Sequence, residues 1–396
     1  MFDSELRRLA DAGSAEHQWK LSLAYQQSKR PARASRYFRK ALEQGYPEAI
    51  IHQLQQWTSV PGEFANFTRA QQLLDRYPAM EELVPWRWRL GVIAGSLSTE
   101  QEIEAAREQL SRGNPCALRY LALRCAFAGL DVAARALLER AAAGGDLWSR
   151  RILDDDAVES LPPLRSAKGL TTSGVADGWE AAFADSSDRG QREELHANPR
   201  LYLSRGWLPV LGCRLLATVA EAELRPSLTY DARSGRQINS AFRTSHSMTF
   251  MPWLVDPSIA YIQRRLAAFC GRAPRQCEVL GLLRYGPGQE YKLHYDAFAL
   301  DQPGVDELMR DGGQRTRTAL IYLNAGYVGG ETRMENLDLE IAGAVGDLLV
   351  FDNVDERGQR HPDSLHAGKP VLQGSKWLAS QWFREDQTEF TRQMGW

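Results

Sequence analysis

The chain has 396 residues, too many for one small core and enough for two domains at roughly 100 to 200 residues each. Hydrophobic residues make up 43% and charged residues 25%, ordinary globular usage that excludes a disordered or fibrous class. Lys plus Arg (48) nearly cancels Asp plus Glu (50), a formal charge of -2, which leaves no field for nucleic acid or an anionic membrane surface. The opening Met1-Phe-Asp-Ser-Glu-Leu lacks the apolar core of a secretory signal, and no apolar run nears the roughly 20 residues that span a bilayer. A cytoplasmic protein is expected. Five cysteines (Cys116, Cys125, Cys213, Cys270, Cys277) contain no CxxC pair and suit buried thiols better than disulfides or zinc.

From about residue 4 to 155 the apolar residues fall at spacings of three and four, as in Ala34, Phe38 and Ala41, which predicts an all-helical half. Gly45-Tyr-Pro-Glu-Ala49 recurs as Gly113-Asn-Pro-Cys-Ala117, 68 residues later, with a degenerate copy at Gly145-Asp-Leu-Trp-Ser149. Each copy follows a helical stretch, as a helix-ending glycine would. The period near 34 resembles tetratricopeptide and Sel1-like repeats, and implies stacked helical hairpins over residues 1–155. Such an array serves either as a packing scaffold or as a concave surface that binds a protein partner or covers a neighbouring site.

Residues 156–199, with Pro162-Pro163 and the polar run Asp185 to Glu194, are expected to form a linker. A helix is predicted over Pro257 to Phe269, outside a sheet. Short apolar or alternating segments follow at Glu278 to Tyr285, Leu293 to Phe298, Thr318 to Leu323, Leu337 to Ile341, Asp347 to Phe351 and Lys376 to Phe383. They predict a sandwich or barrel over residues 200–396. The fold class expected is therefore α+β multidomain.

In His294-Tyr-Asp296 the two polar residues are i and i+2, so on a strand both project from one face. An imidazole and a carboxylate joined by a second, distant imidazole make a facial triad with open positions on a non-haem iron. His366, in Ser364-Leu-His-Ala-Gly368, is the expected third ligand. His361 competes, but it precedes Pro362 in a charged loop. Lys376, ten residues after His366 at the head of an apolar strand, supplies a cation for a buried anionic ligand.

The stretch Arg284-Tyr-Gly-Pro-Gly-Gln-Glu-Tyr-Lys-Leu-His-Tyr-Asp296 resembles the metal-binding segment of the prolyl 4-hydroxylase family of Fe(II)/2-oxoglutarate-dependent dioxygenases. Arg317 to Asn324, Gly329-Gly-Glu-Thr332, Gly346 to Phe351, Ser364 to Val371 and Gly374-Ser-Lys-Trp377 follow in that family's order, so the resemblance covers about residues 200 to 385. It implies a double-stranded β-helix (jelly-roll), with Fe(II), 2-oxoglutarate and O2 as cofactors and ascorbate in support. It also implies that Lys376 binds the distal carboxylate of 2-oxoglutarate, that Tyr285 and Thr318 add hydroxyls, and that Tyr322 and Trp382 line the pocket. On the substrate side it implies Tyr291, with Arg243 and Ser245 in a closing loop over Asn239 to Ser245. Met334 stands where the family usually has an aromatic residue, and Asp352 to Asp363 looks like an insertion. The substrate implied is an amino-acid residue in a peptide or protein. The alternatives are a free amino acid or small biosynthetic intermediate, or an inactive repeat-based binding protein.

Overall fold

In the computed structural model, residues 4–61, 65–154, 161–164, 178–184, 191–231, 236–239, 242–302 and 304–396 are described. Most of the expected linker and positions 240–241 of the expected closing loop lie outside them. The first half is helical: α1 (Ser4–Asp11), α2 (Ala15–Gln27), α3 (Pro31–Glu43), α4 (Pro47–Thr58), α5 (Phe67–Asp75), α6 (Val84–Ala94), α7 (Thr99–Ser111), α8 (Pro115–Phe127), α9 (Asp131–Ala143) and α10 (Leu147–Leu153). Gly45, Gly113 and Gly145, the recurring glycines, follow α3, α7 and α9 with φ of +73°, +65° and +96°. Only glycine adopts that left-handed geometry cheaply, so these helices stop where the sequence repeat said they would. The next helix then starts at Pro47, at Pro115, or behind the Asp146 cap that accepts from Ser149 N–H.

The second half begins with β1 (Arg192–His196) and β2 (Leu201–Ser204), then α11 (Val210–Glu221), β3 (Arg225–Pro226), β4 (Leu228–Asp231), β5 (Arg236–Asn239) and β6 (His246–Thr249). Next come α12 (Pro257–Phe269), β7 (Gly281–Tyr285), β8 (Tyr291–His294), α13 (Val305–Arg310), β9 (Arg315–Tyr322), β10 (Val328–Gly329), β11 (Thr332–Met334) and β12 (Leu339–Ile341). The chain ends with β13 (Leu348–Asp352), β14 (His366–Gly368), β15 (Val371–Gln373), β16 (Lys376–Arg384) and α14 (Glu389–Met394). An eight-stranded sheet runs β1-β2-β13-β9-β16-β7-β6-β3, and a four-stranded sheet runs β12-β11-β14-β8. Both are antiparallel. The edge strand β1 lies inside the expected linker, whose polar Arg192-Glu-Glu sequence gave no strand signal.

Strand alternation divides the large sheet into two faces. On β9, Ala319 and Ile321 point to one core, shared with Tyr202, Leu282, Val350 and Ala379 and with α11, α12 and the N-terminal helices. Leu320 and Tyr322 point to the other, with Leu283, Tyr285, Phe351 and Leu378. The helical half therefore backs the sheet through α11 and α12. Arg119 of α8 fixes this junction: its buried guanidinium pairs with Asp146, and with Asp256 at 2.7 Å. Asp256 also caps α12 through Ile259 N–H. No helix among the described residues is long and apolar enough to cross a membrane.

Candidate active site

The small sheet closes over the second core and carries two histidines in register, with His366 of β14 paired to His294 of β8. β8 stops at His294, so Asp296 sits beyond the strand, not on it as the i, i+2 spacing predicted. The chain is turned out there because Phe298 N–H donates to the Gln314 side chain and Thr318 Oγ1 donates to Asp296 Oδ2 at 2.6 Å. The three side chains still converge. His294 Nε2 lies 3.6 Å from Asp296 Oδ1, and His366 Nε2 lies 3.6 Å from Asp296 Oδ2. One ligand atom from each falls within 4.8 Å of the others, and no other such group occurs among the described residues.

Both imidazoles are oriented from behind. Nδ1 of His294 bonds the Lys292 carbonyl at 2.7 Å, and Nδ1 of His366 bonds the Ser364 carbonyl at 2.9 Å. A carbonyl only accepts, so Nδ1 carries the proton and Nε2 keeps its lone pair for the shared point. Tyr291 stacks on His294 at 3.5 Å, and Phe351 meets His366 edge-on at 4.8 Å. Burial, reinforced by the neighbouring His366, pulls the His294 pKa down to about 3, which keeps this imidazole neutral. Burial pushes the Asp296 carboxyl up, but the two histidines and Thr318 outweigh it and hold it below its ordinary value. Two imidazoles and one carboxylate, lining the same cleft, suit a divalent non-haem iron.

Further in, Lys376 begins β16 and is 2% exposed. Its Nζ donates to the Gly330 carbonyl at 2.6 Å and lies 5.3 Å from the Tyr322 ring and 5.9 Å from the Tyr285 ring. Among the described residues no carboxylate comes within ion-pair distance of it, since the adjacent Glu331 reaches Lys369 instead. Burial pulls its pKa down to about 8. A cation buried without a carboxylate, in the cleft that also holds the three metal-binding side chains, fits the distal end of 2-oxoglutarate.

The other expected site residues divide. Tyr285, Tyr291, Arg243 and Trp382 line the cleft, and Arg243 lies over the Tyr291 ring at 5.1 Å. The Tyr322 hydroxyl is committed to Thr332 Oγ1 at 2.8 Å, so its ring faces Lys376 while its oxygen does not. Thr318, expected to offer its hydroxyl to 2-oxoglutarate, gives it to Asp296 instead. Ser245, expected at the substrate, is 1% exposed with its hydroxyl 2.8 Å from that of Ser227. His361 is also committed elsewhere, accepting Asp363 N–H at Nδ1 to cap the turn at Pro362–Ser364. Sequence reasoning missed Arg315, whose guanidinium stacks on Trp382 at 3.6 Å while paired with Glu278 at 2.7 Å. It also missed Asn353, a polar residue of the insertion-like loop that donates to Thr318. Neither residue carries a motif, because each acts through a partner distant in sequence.

Residues 280–384 match the 2OG-Fe(II) oxygenase superfamily. The chain is 31% identical over 258 residues to Prolyl 4-hydroxylase 1 of Arabidopsis thaliana, covering 60% of this chain and 88% of that protein. It is also 31% identical over 215 residues to Prolyl 4-hydroxylase 2 of the same plant, covering 49% and 70%. Among solved structures it is similar to a viral collagen prolyl hydroxylase of Paramecium Bursaria Chlorella virus-1, solved as a 2OG complex. There the identity is 27%, the TM-score 0.36, and the coverage 46% of this chain and 95% of that one.

Proposed function

The chain belongs to the 2OG-Fe(II) oxygenase superfamily, with the prolyl 4-hydroxylases, and on that premise we propose that His294, Asp296 and His366 hold its Fe(II) and that Lys376 binds its 2-oxoglutarate. It is an oxidoreductase that uses Fe(II), 2-oxoglutarate and O2, with ascorbate in support. The observation that carries the site reading is the convergence of two imidazoles and one carboxylate beside a buried lysine that, among the described residues, has no carboxylate within ion-pair distance. Bound Fe(II) supplies the oxidising chemistry, in which 2-oxoglutarate becomes succinate and carbon dioxide while a substrate C–H becomes C–OH.

The protein's own residues aim that chemistry. The Lys292 and Ser364 carbonyls fix the histidine tautomers, and Thr318 holds the Asp296 carboxylate in place. Lys376 anchors the far end of the cosubstrate, while Tyr285 and Trp382 form walls that exclude water. Tyr291, stacked on His294 and with Arg243 over its ring, stands between the metal position and incoming substrate. Arg315, held against Trp382, adds a fixed positive charge to the same wall.

We read the two facing sheets as the double-stranded β-helix and the N-terminal helices, over residues 1–155, as Sel1- or tetratricopeptide-like repeats. Residues 156–199 connect them to the catalytic unit at 200–396, which also draws its edge strand β1 from the connector. The helices pack on the face of the sheet opposite the cleft, which favours a scaffold over a cover for the iron. The substrate class we assign is a prolyl residue in a peptide, supported by the relatives' names.

The test is incubation with Fe(II), ascorbate, O2 and 2-oxoglutarate, with and without proline-rich peptides. Succinate formation and peptide gain of one oxygen atom on proline are the expected results. Hydroxylation of free proline but not of peptides would replace the substrate assignment, and no succinate under any condition would overturn the site reading.

A further inference from the structure

We propose that Asn353 is a positioning residue for the metal site, acting through the Thr318 hydroxyl to hold the Asp296 carboxylate in its ligating orientation. The inference rests on the reading of His294, Asp296 and His366 as the Fe(II) site. The Asn353 side chain is wholly buried at the end of β13, and its Nδ2 donates to Thr318 Oγ1 at 2.9 Å. Thr318 Oγ1 lies 2.6 Å from Asp296 Oδ2 and only 3.3 Å from Asn353 Oδ1. A hydroxyl has one proton and here two acceptors to choose from. The charged carboxylate at the shorter distance takes it, which leaves the hydroxyl's lone pairs for the Asn353 amide. The direction of the chain is then fixed: amide N–H to hydroxyl oxygen, hydroxyl proton to carboxylate.

Without the amide donor, the hydroxyl is free to rotate about the Cβ–Oγ bond and turn its proton away from Asp296. Asp296 has few other restraints, because it lies past the end of β8 and gains none from the sheet ladder. The insertion-like segment acquires a purpose on this reading. Val354 and Arg360 pair across it, and the Asn353 carbonyl accepts both His361 N–H and the Ser364 hydroxyl. The excursion therefore closes on itself and returns the chain to Ser364, whose carbonyl orients His366. Asn353 N–H bonds the Thr316 carbonyl on β9, so its backbone is anchored independently of its side chain. One residue thereby reaches towards two ligands, through its amide to Asp296 and through its backbone to the loop of His366.

The experiment measures Mn(II) binding to the full chain by electron paramagnetic resonance, with the free-ion signal reporting occupancy in the absence of turnover. Asn353→Ala and Thr318→Val are each expected to weaken Mn(II) binding about 10- to 100-fold, the usual loss for a residue that orients a ligand. Thr318→Ser, which keeps the hydroxyl, should bind as wild type. The Asn353→Ala/Thr318→Val double variant should be no weaker than the weaker single, because the two act in one series. Asn353→Asp, of the same size but without the N–H donors, should weaken binding at least as much as Asn353→Ala. Wild-type affinity in Asn353→Ala, or losses that add in the double variant, would overturn the inference. Failure of the wild-type protein itself to bind Mn(II) would instead sink the metal-site reading beneath it.

Discussion

Lys376 allows the sharpest quantitative test, because replacing it by methionine keeps most of the side-chain volume and removes only the charge. Its ammonium group is buried, touches one carbonyl, and has no carboxylate partner among the described residues, so little solvent stands ready to replace it. Taking away one member of a buried ion pair costs about 3–5 kcal/mol. At about 1.4 kcal/mol per power of ten, the KM for 2-oxoglutarate should rise roughly 100- to several-thousand-fold in Lys376→Met. Affinity for Mn(II) measured without 2-oxoglutarate should barely change. Stability should also survive, for a reason of sign: burial holds the folded-state pKa near 8, below the unfolded value of a lysine, so the fold disfavours the charged form. That penalty on folding grows as pH falls towards 8 and is constant below it, and methionine removes it. Steady-state succinate formation against 2-oxoglutarate concentration is the assay, with a urea melt beside it. An unchanged KM would show that the cosubstrate is anchored elsewhere, and a large fall in stability would show that the lysine is structural.

The same group predicts a pH profile. Below about 8 Lys376 is already protonated and the KM for 2-oxoglutarate should be flat, whereas above it binding must recruit a proton and KM should climb about tenfold per pH unit. A flat profile through alkaline pH would contradict this, and Lys376→Met should lose the dependence. His366→Ala should abolish Mn(II) binding, while His361→Ala should keep it and lose only on the order of 1 kcal/mol of stability, that of one hydrogen bond to Asp363 N–H. Inverted results would move the metal site. Arg119→Met strands Asp146 and Asp256 at the junction of the two halves, and should lower stability by about 3–5 kcal/mol, read as a fall in the urea midpoint at constant slope. A shift below about 1 kcal/mol would show the junction to be held by apolar packing alone.

Sequence by itself determined the chemistry and the ends of the glycine-terminated helices. His294, Asp296, His366 and Lys376 are all polar residues set in apolar, glycine-punctuated surroundings, and the order of the motifs around them is a linear property of the chain. The helix-ending glycines were legible for the same reason, since a positive φ is a demand on one residue. The five cysteines were legible as packing residues: all are free, and burial raises the thiols of Cys116 and Cys270 to about 11 and about 12.

Only the tertiary structure decided what each polar group does with its one proton or its lone pairs. The Thr318 hydroxyl could serve a cosubstrate or a ligand, and the choice fell to Asp296 because the chain leaves β8 at His294 and returns that carboxylate to within 2.6 Å. His361 was drawn off locally by Asp363 N–H, two residues on, whereas Ser245 bonds Ser227 and the cleft residue Tyr285, partners that no local spacing reveals. The polar edge strand β1 exists because β2 offers it a ladder. The helical half lies behind the sheet because the alternating residues of β9 and β16 turn Ala319, Ile321 and Ala379 to that side. Pairing between distant segments is set by which surfaces meet, and a hydrogen bond goes to the partner that arrives; neither is written in the spacing of neighbours along the chain.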